Sequence, residues 1–339
     1  MGSRETSTVA AIQATPVFLN RDATVDKACE LIAEAGRNGS SVAAFPEAFI
    51  PTYPDWVWAI PPGDSKTLDE LYGELLANSV AVPSPSTDRL CRAARSANTS
   101  VVIGMNERNV ESSGGSLYNT LLYIGPDGQI LGKHRKLVPT GAERLVWAQG
   151  DGSTLGVFDL PCGRLGGLIC WENYMPLARY TMYAWGVQLY VAATWDRGEP
   201  WLSTLRHIAK EGRVYVIGVC MPMRASDIPD QYEFKRRYYG GRDWINTGDS
   251  AVAGPDGNFI AGPVSEREEI LYAEIDLSRL SSSKWMLDVA GHYARPDIFG
   301  LTVHTGERPM ITSHDGLAEP ARTPSLGASR QGQRGKQRR

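Results

Sequence analysis

The 339-residue chain has no apolar run near the roughly 18 residues that a membrane-spanning helix needs, so no such helix is expected. Its first residues, Met1 to Ser7, are polar and lack the apolar centre of a secretion signal. Cysteine is sparse. Cys29, Cys91, Cys162, Cys170 and Cys220 are odd in number and never spaced Cys-x-x-Cys. That argues against a disulfide framework and against structural zinc, and it favours a reduced, cytoplasmic protein. Neither sign of charge dominates: 35 Lys and Arg face 38 Asp and Glu, for a net charge of -3. Nothing in the balance points to nucleic acid or a membrane surface as the main partner. Asn98-Thr-Ser100 is formally a glycosylation sequon, but without a secretion signal it carries no weight.

What the chain does have is alternation of strand-like and helix-like stretches, which indicates an α/β class. Val9 to Ala14 reads as a first strand. Val25, Ala28, Cys29, Ile32 and Ala35 follow at helical spacing, which puts Cys29 on a core stripe, and Asn38-Gly39 ends that helix. Ser41 to Phe45, Ser100 to Gly104 and Tyr118 to Ile124 read as strands. Pro51 to Pro62 reads as an ordered loop. Thr87 to Ala97 reads as a helix, with Thr87 or Asp88 as its N-cap. The turn Gly125-Pro-Asp-Gly128 recurs as Gly254-Pro-Asp-Gly257, each time between apolar strands and each time after a helix and a strand. That repetition predicts two similar α/β halves facing each other in one domain. The predicted organisation is an N-terminal extension over 1–8, a catalytic domain over 9–310 and a disordered basic tail over 311–339. The tail is rich in Gly, Ser, Pro and Arg and poor in anything to bury.

Three segments carry reactive groups. In Phe45-Pro-Glu47, a carboxylate follows a buried strand, where desolvation would raise its proton affinity and suit it to act as a base. In His134-Arg-Lys136-Leu-Val-Pro-Thr140, His134 and Lys136 alternate to one side, and a lysine there could stabilise a developing anion. In Gly166-Gly-Leu-Ile-Cys-Trp-Glu-Asn173, a strand ends on Cys170 and Pro176 soon opens a helical pattern. A thiol facing a helix N-terminus is expected to gain thiolate character. Each feature alone has a plainer reading: a surface glutamate, a solvated basic edge, a small buried hydrophobe. The functional reading rests on their occurring together and in this order. His207 reads as structural, His292 as an interface or entrance residue, and Cys162 as incidental to a turn.

These segments closely resemble those of the nitrilase superfamily over Val9 to Phe299. The resemblance implies a catalytic set of Glu47, Lys136 and Cys170, with Glu143 of Glu143-Arg144 as a second, helper glutamate. Gly291 to Asp297 is similar to a C-terminal segment of nitrilases. Cys-Trp-Glu-Asn is similar to the nitrile-cleaving branch. The implied fold is a four-layer αββα sandwich with an internal pseudo-duplication. Such units pair into αββααββα layers, so dimers and higher spiral oligomers are expected as self-partners. The implied reaction is hydrolysis of an organic nitrile, arylacetonitrile or aliphatic, to the acid and ammonia through a covalent thioimidate and thioester. It needs no metal or organic cofactor. Tyr53, Trp171 and Trp195 are the candidate substrate wall, and Trp56 and Tyr174 are weaker ones. The rivals are an amidase or carbamoylase of the same superfamily, a cyanide-hydrolysing enzyme, and an inactive scaffold.

Overall fold

A computed structural model describes residues 6–308. The strands are β1 (Thr6–Gln13), β2 (Ser40–Ala44), β3 (Ser100–Arg108), β4 (Leu117–Ile124), β5 (Ile130–Arg135), β6 (Val157–Leu160), β7 (Gly163–Ile169), β8 (Leu189–Thr194), β9 (Tyr215–Cys220), β10 (Pro222–Arg224), β11 (Trp244–Ala253), β12 (Phe259–Ser265) and β13 (Glu269–Asp276). The helices are α1 (Arg21–Arg37), α2 (Trp56–Ala59), α3 (Ser65–Ala77), α4 (Pro85–Ala97), α5 (Pro176–Ala184), α6 (Glu199–Gly212), α7 (Glu233–Tyr239) and α8 (Ser278–Ser283).

Two sheets result. One runs β13-β1-β2-β3-β4-β5. The other runs β6-β7-β8-β9-β11-β12, with β10 continuing the pairing of β9 along β11. They correspond column by column. In each, three central strands are parallel, an antiparallel strand closes one side, and an antiparallel hairpin closes the other. The two Gly-Pro-Asp-Gly turns occupy the same place in each half. Gly128 and Gly257 both take positive φ, and each would press a Cβ toward a helix backbone, that of α4 or of α6.

Alternation along the strands builds four layers. Val9, Ala11, Val42, Ala44 and Val102 point inward against Leu165, Val191, Ala193 and Ile217 of the other sheet. Their neighbours Ala10, Ile12, Ala43 and Val101 point outward onto Val25, Ala28, Ile32 and Leu90 of α1 and α4. On the far side, Leu168, Tyr190, Ala192 and Val216 meet Met182 of α5 and Leu205 and Ile208 of α6. This is the αββα sandwich with its internal duplication.

Several boundaries differ from expectation. β1 already includes Thr6 to Thr8, because they pair with Glu274 to Asp276 of β13. The N-cap of α4 is Ser84 rather than Thr87 or Asp88. Pro85 fills the first helical position, and Thr87 Oγ1 returns to accept from Ser84 N–H, completing a capping box. The loop over 51–62 contains the single turn α2. Cys29 is only half-buried on α1. The predicted basic tail, 311–339, lies outside the described residues, as do residues 1–5. Among the described residues no helix is long and apolar enough to cross a membrane.

Candidate active site

The site lies between the two sheets, beyond the ends of β2, β5 and β7. Glu47 sits on an elbow. Phe45 N–H donates to Val102 O at 2.8 Å and Ile50 N–H to Gly104 O at 3.1 Å, so the residues between them arch over β3. The arch needs Ala48 at a φ of 49° and a glycine beneath it. A Cβ on Gly104 would lie 2.1 Å from Pro46 O and 2.6 Å from Ala48 N. Cys170 sits on a second elbow, with a φ of 52°. Asn173 pins it by donating from Nδ2 to Cys170 O at 2.8 Å, and Tyr190 OH holds Asn173 Oδ1 at 2.8 Å.

Lys136 joins the groups together. Its Nζ donates to Glu47 Oε1 at 2.8 Å and to Glu143 Oε2 at 2.7 Å, and all three side chains are buried. Asn119 Nδ2 also donates to Glu47 Oε1, at 2.7 Å. Glu47 Oε2 has no hydrogen-bond partner among the described residues. Glu143 is held further by Thr140 N–H on Oε2 and by Tyr53 OH on Oε1, both at 2.7 Å. Tyr53 in turn accepts from Trp58 Nε1 at 3.1 Å and stacks on Trp195, with ring centroids 4.5 Å apart. Half-buried Asp55 takes Trp195 Nε1 at 3.0 Å and Tyr239 OH at 2.7 Å.

Burial and neighbouring charge set the proton affinities. Burial, which outweighs the nearby Lys136 ammonium, holds Glu47 above the usual carboxylate range. Lys136 is held above the ordinary lysine value. Burial opposes its charge, but Glu47, Cys170 and Glu143 favour it more. The Cys170 thiol is pushed well up by burial and by the Glu47 charge, with only partial relief from Lys136 and from Thr194 Oγ1, which donates to the sulfur at 3.3 Å. This corrects the expectation of a thiolate at a helix N-terminus. Cys170 opens a 3₁₀ turn over Cys170–Tyr174, and α5 begins only at Pro176, so the helix dipole gives little where burial costs much.

Glu47, Lys136, Glu143 and Cys170 therefore share one buried site, with Tyr53 and Trp195 beside it. Trp171 differs. It is 51% exposed, with its indole Nε1 on Asp196 Oδ2 at 2.9 Å, and it stands at the surface with Tyr174. His207 and His292 are exposed as well. Sequence reasoning gave no role to Asn119, Thr194, Asp55 or Glu172. Glu172 alone carried a signal, its place in Cys-Trp-Glu. Among the described residues, no group of three or more His, Cys, Asp or Glu side chains could hold a metal ion.

Residues 8–284 match the model of the carbon-nitrogen hydrolase family, and the chain belongs to that family. Among its relatives, an aliphatic nitrilase of Sinorhizobium fredii is 42% identical over 90% of this chain and 97% of its own length. Nitrilase 1 of Arabidopsis thaliana is 39% identical over 90% of this chain and 88% of its own. The NitFhit protein of Caenorhabditis elegans shares the fold, with a TM-score of 0.68 at 21% identity over 91% of this chain and 70% of its own.

Proposed function

We propose that the chain is a nitrilase, hydrolysing an organic nitrile to the carboxylic acid and ammonia. One observation carries the reading: a buried ammonium held between two carboxylates, with all three charges acting on one buried thiol. The names of the aliphatic and plant nitrilase relatives support the same activity.

The steps follow from the proton affinities. A thiol held so high stays protonated at rest, and Glu47, itself raised and bare on Oε2, is the group suited to take the proton as sulfur attacks the nitrile carbon. The proton passes on to the nitrogen, leaving a thioimidate on Cys170. Lys136 stabilises the charge that builds on that nitrogen. Water, oriented by Glu47 and Glu143, adds to the thioimidate carbon. Protonation of nitrogen then releases ammonia and leaves a thioester, and a second water yields the acid and the free thiol. Tyr53 and Trp195 form an apolar wall suited to an aliphatic or arylacetonitrile substrate, while Trp171, at the surface, borders the entrance.

The five free cysteines support a reducing, cytoplasmic setting. Self-association into dimers and spiral oligomers is part of the proposal. It is supported by exposed Trp285, Met286, Tyr293, Ile298 and Phe299, an apolar tract of the kind that marks protein interfaces. Light scattering tests it: Phe299→Asp should reduce the assembly size.

The activity is tested by ammonia release from phenylacetonitrile, an aliphatic dinitrile, benzonitrile, cyanide and phenylacetamide. Release from organic nitriles and not from the amide is expected. Release from the amide alone would move the chain to the amidase branch, and from cyanide alone to the cyanide-hydrolysing one.

A further inference from the structure

The side chain of Glu172, two residues beyond the nucleophile, spans both sheets. Its Oε1 accepts from Leu137 N–H at 2.5 Å, and Leu137 directly follows Lys136. Its Oε2 accepts from Ile169 N–H at 2.7 Å, and Ile169 directly precedes Cys170. His134 Nε2 lies 3.2 and 3.0 Å from the two oxygens, and both side chains are buried. Burial works against the Glu172 charge, but His134 and the two N–H groups more than offset it and keep the carboxyl below its ordinary range. A carboxylate needed only to cap the turn after Cys170 would require the Ile169 bond alone. The Leu137 bond reaches to the other sheet, at the residue next to the lysine.

We propose that Glu172 is a positioning residue whose carboxylate fixes the separation of the Lys136 ammonium from the Cys170 sulfur, and thereby decides whether the tetrahedral intermediate yields acid or amide. The inference rests on the nitrile-hydrolysing activity proposed above. In that intermediate, one carbon bears the Cys170 sulfur, an oxygen and the former nitrile nitrogen. With Lys136 close, the nitrogen takes a proton, the C–N bond breaks, and ammonia leaves a thioester. With Lys136 withdrawn, the C–S bond breaks instead. Its electron pair returns to sulfur, the thiol recovers its proton from Glu47, and a neutral amide departs.

Glu172→Gln is the direct test. A glutamine has one acceptor oxygen, and its amide nitrogen would face the other N–H, so one of the two ties must open. On a nitrile substrate, kcat should fall about 100-fold, the effect of misplacing a catalytic group by about 1 Å, with KM little changed. The amide-to-acid ratio should rise about tenfold, the change expected from losing one hydrogen bond's discrimination between two exits. Thermal melts and circular dichroism check that the variant is folded. If it is not, Glu172→Asp, which keeps the charge and both acceptors on a side chain one methylene shorter, carries the same prediction. A folded variant with an unchanged product ratio overturns the proposal. If the wild-type chain cleaves only amides, the proposed function fails separately from the clamp. The clamp then predicts a fall in kcat of about 100-fold on the amide with KM unmoved, and equal changes in both would overturn it. A wild-type chain inert to nitriles and amides alike overturns both.

Discussion

Two buried carboxylates in this molecule meet cations from the same short segment, and they do different work. Glu107, on the outer side of β3, takes Lys133 Nζ at 2.5 Å and Arg135 Nη2 at 2.7 Å on Oε1, and Arg135 Nε at 3.0 Å and Thr120 Oγ1 at 2.7 Å on Oε2. Both oxygens are doubly satisfied. Those partners outweigh burial and hold its carboxyl below the ordinary range. Glu47 takes Lys136 and Asn119 on one oxygen, leaves the other bare, and is held above that range by burial. Residue type and burial hardly distinguish the two, although Glu107 lies within β3 and Glu47 on the elbow beyond β2. The distribution of donors does: a carboxylate paired on both oxygens resists protonation and serves structure, while one with a bare oxygen beside a thiol is suited to accept a proton.

The comparison is sharpest at the thiols and the lysine. Cys170→Ala and Lys136→Ala should each abolish ammonia release while a circular dichroism spectrum stays native. Cys162→Ala should leave turnover within about twofold, since the position lies at the far end of β7 from Cys170 and shares no partner with the reacting groups. The Cys162 thiol is also buried and pushed up to about 11 by that burial, but it lies at the turn after β6, away from the cluster. Retained activity in Cys170→Ala would remove the nucleophile from the mechanism.

Glu47→Gln keeps the shape and loses the base, so kcat should fall about 10²- to 10⁴-fold. In the wild type, activity is lost as pH falls through the raised Glu47 value, hence at a pH above the ordinary carboxylate range. A pH–rate profile of the variant should lack that acid limb, and an identical limb would assign it to another group.

A smaller effect is expected from the ground beneath the elbow. Gly104→Ala must displace Pro46 or Ala48, and with them Glu47, so kcat should fall about 100-fold. Unchanged kinetics would show that the elbow yields without moving the carboxylate.

Glu107→Gln should affect stability and not chemistry. Urea melts near neutral pH should show a loss of about 1–3 kcal/mol, with kcat within about twofold of wild type. The folded-state carboxyl is depressed, so its contribution is fully present above the unfolded value of about 4.3 and is lost as pH falls through the folded one. The gap between variant and wild type should therefore close in acid. A gap independent of pH would mean that packing, not charge, was lost.

Much of this was legible in the chain. The repeated Gly-Pro-Asp-Gly turns announced the duplication, because a turn's chemistry is local. Glu47, Lys136 and Cys170 could be singled out because each lies just beyond a strand end within a short motif, whereas Glu143, in the 3₁₀ turn Gly141–Leu145, was indicated only by the family resemblance. What escaped were relations across the fold. Asn119 meets Glu47 from 72 residues away, and Asp55 meets Trp195 from 140. The thiolate expectation failed for the same reason: it weighed a neighbouring helix and could not weigh the burial that both sheets impose on the sulfur. Trp171, adjacent to the nucleophile in sequence, turned out half-exposed, with its indole on Asp196.

The two-sheet construction has a further consequence. Glu47 and Lys136 are carried by one sheet and Cys170 by the other, so turnover monitors the register of the sandwich. In mild urea, ammonia release should decline before the circular dichroism signal does, since a slip of about 1 Å between intact layers is enough to silence the chemistry. The enzyme is thus its own strain gauge.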